Sequence, residues 1–528
     1  MTEEIASSSP DGEDEPTDSD STPTDSDLSK LMSSATLVIA GQILYSASNL
    51  IERAIIANAL STEAYGQVGI GLSLLFIGTT VGLLGFRSGI PRYVSRFTDD
   101  TEIRGAVVTG LVASVASSVV VAVVLYTNVD LIASYLLDPG DSTLLLRLFI
   151  LTIPVVTLLQ IGTSAIRGME NTLYRTYAEQ LAYPGLRLLL MAVFLLGLGW
   201  GIAATGYAYL ASAAVGVIIA FALFNRLFSM RGPVETSFRE MLSYSLPLVL
   251  SGLAVRLLTK ADTLMVGYFQ TTVDVAYYEA AFPLATGLQL FLGAFGFLYF
   301  PLISRLDSED RLGEVNNMYK LTTKWVYLLT FPVFLLLFAF PSDVLRIVLR
   351  PEYSAAGLAL SILSVGYFTQ AAAGRCIETL SAFGRTRLVF MINGLSFLLN
   401  FCLNLYLIPE YSFVGAAVSS AVAFVFLNSL TVGLLWRLYG VTPFSTHSVR
   451  TFVALPFALV PPALVVSRLV TLSLPTFVLA VVVLPILSVV VYVAAGCTES
   501  EDRIVVDLAE DKLGRSIPFV DRIIPPRE

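Results

Sequence analysis

The sequence predicts an all-α polytopic membrane protein of about 14 transmembrane helices, built as two parallel-repeat six-helix lobes plus two extra C-terminal helices. Three observations carry that prediction. Hydrophobic residues fill 55% of the 528 positions and charged residues only 14%, with a mean hydropathy of +0.75. A soluble chain of this length has no core that could bury so much apolar surface. Apolar runs of about 20 residues, each long enough to cross the hydrocarbon layer as a helix, recur along the chain. Landmarks of the first half also return in the second at a shift of roughly 210 residues.

The chain opens on an acidic stretch, DGEDEPTDSDSTPTDSD. Residues 1–30 hold 10 of the 41 acids and, of the 32 bases, only Lys30, so the formal net charge of -9 belongs to the tail and the remainder is neutral. With so few apolar residues, residues 1–33 are expected to be a disordered cytoplasmic tail, solvating or docking in role. They lack the positive n-region and small-residue cleavage site of a signal peptide.

Windows of about 20 residues place spans at 34–58, 67–86, 105–127, 144–166, 178–198, 202–224 and 241–263. The others fall at 278–300, 323–341, 355–376, 388–407, 413–436, 449–470 and 474–496. Pro154 and Pro247 fall inside spans and predict kinks, because a helical proline removes a hydrogen bond and crowds the preceding turn.

The loops that follow even-numbered spans carry the arginines: Arg87, Arg92, Arg96 and Arg104, then Arg167 and Arg175, then Arg226, Arg231 and Arg239. Arg305, Arg311 and Lys320 follow span eight, and Arg385 and Arg387 follow span ten. The alternate loops Ser61–Gly66, Asn128–Thr143, Gln270–Ala276 and Pro409–Tyr411 hold acids and no Lys or Arg. Arg346, Arg350 and Arg468 are the exceptions. The positive-inside rule then puts both termini in the cytoplasm of a multi-pass protein of the cell membrane.

The repeat follows from four ordered correspondences: Tyr65 with Tyr277, Ile90–Pro91 with Phe300–Pro301, Asp138–Pro139 with Arg350–Pro351, and Gly206 with Gly415. The shift contains six helices, an even number, so both halves keep one topology. The expected organisation after the tail is an N-terminal lobe (34–228), a cytoplasmic linker (229–240) and a C-terminal lobe (241–438). Two added spans (439–496) and a cytoplasmic C-terminal tail (497–528) complete it. Ile504, Val505, Val506 and Leu508 in that tail suggest a short amphipathic helix.

Catalytic chemistry has no foothold. Cys376, Cys402 and Cys497 show no pairing or metal spacing, His447 is the one histidine, and no phosphate-binding loop or nucleophile motif occurs. The chain is expected to be no enzyme, to use no cofactor or metal, and to have no nucleic-acid partner.

A family resemblance rests on LSTEAYG after the first span, SYSLPLVLSGLAVRLLTKADTLMVGYF in span seven and YYEAAFPLA after it. FPLISRL, DVLRIVLRPEYSAAGLALSILSVGYF, SAFGRTR and IPEYSFVGAAVSS continue it over roughly residues 30–440. The ordered set resembles the polysaccharide-transporter branch (Wzx-type flippases) of the multidrug/oligosaccharidyl-lipid/polysaccharide exporter superfamily. The resemblance implies alternating-access transfer of a polyprenyl- or dolichyl-phosphate-linked saccharide from the inner to the outer leaflet, for surface polysaccharide or protein glycosylation. It also implies glycan-assembly glycosyltransferases or an oligosaccharyltransferase as partners. An ion-coupled small-molecule exporter of the same superfamily is the alternative, expected to show a carboxylate deep in a first-lobe helix, where Glu52 is the candidate. A non-transporting scaffold is a third reading, with no reason to bear buried charge.

Gln42, Ser46, Asn49 and Arg53, spaced four, three and four apart, share one face of the first helix, and Arg256, Lys260 and Thr263 share a face of the seventh. A charge near the bilayer centre costs roughly 2.5–3.5 kcal/mol on insertion scales, so it tends to line a cavity or meet a partner. Three readings fit. Arg53, Arg256 and Lys260, with Asn49 and Gln42, hold the linker phosphate of the implied substrate; or Glu52 and Asp262 pair with the cations between helices; or the long side chains snorkel to the headgroups. Arg187, and Arg375 with Glu378, are secondary candidates for the inner vestibule, and Arg87, Arg92 and Arg96 for its mouth.

Overall fold

The computed structural model describes residues 25–138, 143–294 and 296–503, with side chains throughout these except at 25–40, 43, 247, 248, 250, 251, 255, 258, 294 and 296–298. The acidic stretch 1–24, the hydrophobic cluster at 504–508 and the Pro247 side chain lie outside this description. Residues 25–33, expected as tail, are instead the first turns of a helix.

The first half runs α1 (Asp25–Ala59), α2 (Thr62–Gly82), α3 (Phe86–Val94), α4 (Asp100–Thr127), α5 (Val129–Leu136) and α6 (Leu144–Gly168). Then α7 (Thr172–Arg175) passes through a π-helical stretch (Thr176–Ala182) into α8 (Tyr183–Met191), a second π-helical stretch (Ala192–Gly197) and α9 (Ala203–Leu227). The second half runs α10 (Phe238–Phe269), α11 (Thr272–Thr286), α12 (Gln289–Ala294), α13 (Gly296–Ser308), α14 (Leu312–Ala339) and α15 (Pro341–Val348). A 3-10 turn (Pro351–Ala356) leads into α16 (Gly357–Ala373), followed by α17 (Cys376–Ala382) and α18 (Thr386–Tyr439). The last two helices are α19 (Thr446–Leu469) and α20 (Leu474–Ala494).

Ten stretches among the described residues are long and apolar enough to cross a membrane. One of them, α18, is 54 residues long and reverses at Ser412 (φ 51, ψ -140), so it makes two crossings. The remaining expected spans fall on α1, on α10 and on the broken run α11–α13. The fold is therefore the all-helical, polytopic, duplicated architecture that the pattern predicts.

The repeat is visible in element order. α1 ends at Ala59 and α10 at Phe269; α2 begins at Thr62 and α11 at Thr272; Pro91 lies inside α3 and Pro301 inside α13. The eight-residue helices α5 and α15 also correspond. The first of these falls in the expected loop Asn128–Thr143, because eight residues are far too short for a 20-residue window. Breaks in the spans come at glycine more than at proline. α6 runs unbroken through Pro154, whereas Gly85 (φ 76) separates α2 from α3 and Gly374 (φ 61) separates α16 from α17. A left-handed φ is open to glycine at no steric cost.

The two ends of the molecule differ. At one end, Arg104 donates to the carbonyls of Ser229 and Pro233, and Arg87 and Arg175 both meet Glu179. This is the arginine-rich face. At the other, Thr272 meets Asp138, Ser412 meets Asp274, and Gln270 reaches the Ile408 carbonyl. Two of the exceptional arginines on this second face are matched locally, Arg346 by Asp343 at 2.8 Å and Arg350 by Glu352 at 3.0 Å. α19 and α20 pack on α14 through Tyr327 against Phe452 and Trp325 against Tyr492. Their outer faces (Val453, Phe457, Val478, Val482, Ile486) stay exposed, as a lipid-facing surface requires.

Candidate binding site

The predicted stripe lines a cavity. Gln42, Ser46, Asn49 and Arg53 of α1 form one wall, and Lys260 of α10 with Phe282 and Gln289 of the α11–α12 segment forms another, around about 620 Å³. Phe76 of α2 and Tyr209 of α9 add to it. Gln42 is exposed, Ser46 and Asn49 are half-buried, and Arg53, 13% exposed, ends the stripe against the fully buried Glu279, so the cavity opens toward the arginine-rich face and closes at Arg53. Arg256 is absent from the lining. It lies one turn back from Lys260 on α10, within Coulombic range of Arg87 and Tyr45.

The closed end is organised by a carboxylate that the pattern analysis did not single out. Glu279 of α11 is fully buried. One of its oxygens accepts from Arg53 at 3.0 Å, and the other accepts from the Thr263 hydroxyl at 2.7 Å and lies 3.8 Å from the Lys260 ammonium. Lys260 also sits 4.6 Å from the centre of the Phe282 ring, a cation–π contact on the cavity wall. The Tyr65 hydroxyl donates to the Glu279 carbonyl at 3.0 Å. Gly69 makes the room: a Cβ there would stand 2.6 Å from Glu279 Cγ. The available signal was an acid next to an apolar run, in YYEAAFPLA.

Neither expected partner pairs with these cations. Glu52 turns into its own lobe and meets Arg187 at 2.6 Å, with the two side chains 2% and 4% exposed. Arg187 also donates to Asn49 and stacks over Tyr209. Asp262 accepts from Tyr278 at 2.6 Å, from Asn404 at 2.7 Å and from Ser420. The reason is geometric, since successive helical residues project about 100° apart and only one of Glu52 and Arg53 can face the cavity. Snorkelling fails for Lys260 as well. α10 continues to Phe269, so Lys260 lies nine residues, about 13 Å, inside its end. Arg375 and Glu378 pair with each other at 2.8 Å, and Arg87 is taken by Glu179 and Gln160.

Two six-helix lobes around a charged central cavity define a polytopic, all-helical membrane fold. The fold is shared with an inward closed lipid II flippase, MurJ (TM-score 0.69, 15% identity, 92% of this chain and 100% of that one). It is shared too with an inward-facing MATE family transporter (TM-score 0.62, 16% identity, 75% of this chain and 93% of that one). The family profile described as "Polysaccharide biosynthesis protein" matches residues 31–307, more than half of the chain, and the MatE profile matches 247–406. The chain belongs to the polysaccharide biosynthesis protein family. Among its relatives is the Haloferax volcanii protein named "Probable low-salt glycan biosynthesis flippase Agl15", 26% identical over 42% of this chain and 48% of that one. Another from the same organism is named "Probable flippase AglR", 27% identical over 33% of this chain and 35% of that one. The matched stretches thus span about half or less of these relatives' own lengths.

Proposed function

We propose that the protein is a flippase that carries a polyprenyl- or dolichyl-phosphate-linked saccharide across the cell membrane by alternating access. The observation that carries this reading is the cavity with Arg53 and Lys260 sharing a single carboxylate, an excess of one positive charge in a water-accessible space. The phosphate linker is the part of such a substrate that hydrocarbon excludes most strongly. Arg53 offers it a planar fork of donors and Lys260 a point charge. Asn49 and Gln42 present amides along the open side, where a sugar would lie in water, while the polyprenyl chain stays in lipid. Arg256, one turn behind Lys260, acts in this reading as a cationic approach to the cavity, not as a wall of it.

Membership in the family and the names of the two flippase relatives support this reading, and glycan-assembly enzymes are the partners that it implies. Arginine-rich loops on one face support both termini being cytoplasmic, with loading from the inner leaflet. The exporter alternative needs a carboxylate available to a cation in the first helix, and Glu52 is engaged by Arg187 at 2.6 Å. The test reconstitutes the full chain in proteoliposomes and follows a fluorescent polyprenyl-phosphate sugar beside a cationic dye. Arg53→Gln and Lys260→Gln should each slow lipid flipping at least about tenfold, the weight of one charge-assisted contact. Wild-type rates in both variants, or dye export without lipid movement, would reject the reading.

A further inference from the structure

We infer that Glu279 is the resident anion of the cavity: it occupies Arg53 while the substrate is absent and, by doing so, latches the arginine-poor side shut. This deepens the flippase reading and rests on it. Glu279 belongs to α11 of the second lobe, and Arg53 to α1 of the first, so their 3.0 Å contact ties the lobes together. Tyr65 holds the Glu279 backbone from the same first-lobe side, and Gly69 packs against its side chain. Lys260 and Thr263 approach Glu279 from its own lobe. An opening movement between the lobes therefore separates Glu279 from Arg53 and leaves it with Lys260 and Thr263.

Charge conservation makes the exchange directional. Pulling Arg53 from Glu279 in an empty cavity leaves a largely buried cation and a fully buried carboxylate without their contact, which disfavours opening. A phosphate on the cavity side of Arg53 replaces the lost partner, so opening is favoured only when the anion is present. A ligand shifts a conformational equilibrium only through a difference in affinity between the two states. Competition between the linker phosphate and Glu279 for one guanidinium supplies that difference. Glu279 is thus a positioning residue that couples loading to gate opening and suppresses empty cycling.

The test uses the full chain in nanodiscs with Cys376→Ala, Cys402→Ser and Cys497→Ala, plus Ala276→Cys as a reporter. Ala276 is fully buried where α11 meets Gly66, so a maleimide labels the reporter when the arginine-poor side opens. Inorganic pyrophosphate is the anion probe, measured by titration calorimetry. Glu279→Gln and Arg53→Gln break the same contact from opposite ends, and both should accelerate labelling about tenfold. Their anion affinities should move in opposite directions, about tenfold tighter for Glu279→Gln and weaker for Arg53→Gln, a divergence that a purely structural salt bridge does not produce. Pyrophosphate should accelerate labelling in the otherwise unaltered reporter protein and not in the Glu279→Gln variant. Unchanged labelling, no pyrophosphate binding, or weaker binding in Glu279→Gln overturns the inference. If Glu279→Gln fails to give monodisperse protein, Glu279→Asp keeps the charge but shortens its reach, and reporter-level labelling there is equally fatal. Normal lipid flipping by Arg53→Gln and Lys260→Gln would instead sink the flippase site while the latch result stood.

Discussion

Gly66→Ala is the smallest change expected to alter the conformational balance of this protein. The backbone of α2 approaches α11 so closely at this point that a Cβ on Gly66 would stand 1.8 Å from the Thr272 carbonyl oxygen and 3.2 Å from the Ala276 nitrogen. A relaxed carbon–oxygen contact is about 3.3 Å, so the two helices must part by roughly 1.5 Å to admit one methyl group. The obstacle is backbone, and no rotamer change relieves it. Overpacking of this kind costs about 1–3 kcal/mol. The gain in helix propensity of Ala over Gly applies equally to closed and open states and cancels in their ratio. The closed state should therefore lose roughly 5- to 150-fold in relative population. Spin labels at exposed Asn58 on α1 and Tyr411 at the α18 reversal report lobe separation on this face. Gly66→Ala should enlarge the long-distance population and slow flipping. Gly433→Ala in α18, where an added Cβ meets nothing within 4 Å, should do neither and should add about 0.5–1 kcal/mol of stability. A Gly66→Ala protein with the wild-type distance distribution and flipping rate would refute the idea that this contact sets the closed state.

Two further outcomes concern buried charge away from the cavity. Glu52→Gln or Arg187→Gln alone leaves a charge without its partner at a site 2–4% exposed, and should cost about 3–5 kcal/mol. The double variant should recover part of that loss in thermal unfolding, and strictly additive losses would argue against the pair. Lys324 of α14 meets Asp502 at 2.8 Å and Glu499 at 3.3 Å, and Asp502 also accepts from Trp325 and Tyr492. Lys324→Met should release the 498–503 segment, seen as faster amide exchange there than in α20, whereas unchanged protection would show that the aromatic contacts suffice.

The wall of the cavity was legible in the sequence because it is a one-helix property. Residues spaced four, three and four apart must share a face, and Gln42, Ser46, Asn49 and Arg53 do. The partners were not legible, because they are set by contacts between helices: Arg53 and Glu279 are 226 positions apart, and Glu52 and Arg187 are 135 apart. The same holds for Arg256, whose periodicity matched Lys260 while one further turn carried it out of the cavity. Span seven is expected to stop at 263, where a window of about 20 apolar residues ends. The helix continues to Phe269 because Thr263 and Lys260 meet Glu279, and Asp262 meets Tyr278, Asn404 and Ser420, so no polar group forces an end.

The duplication explains why one carboxylate serves cations of both lobes. Helix ends match at a shift of 210, which moves the counterpart of Tyr65 from Tyr277 to Val275 and makes Gly66 equivalent to Ala276 and Gly69 to Glu279. These equivalent positions touch each other: the nearest atoms to a Cβ on Gly69 are those of Glu279, and Ala276 is among those nearest Gly66. Residues related by a two-fold repeat can meet only close to its axis, so the axis passes between α2 and α11 at this level. A fully symmetric pair there would set two carboxylates against each other, or leave two glycines and an empty gap. Divergence to glycine on one helix and glutamate on the other fits a single carboxylate on the axis, within reach of both halves. The cations that reach it are accordingly not repeat partners, since at this shift Arg53 corresponds to Thr263 and Lys260 to Leu50. The true counterparts Glu52 and Asp262 both turn inward, each into its own lobe. What the ancestral repeat left symmetric holds each lobe together, and what diverged at the axis holds the charge between them.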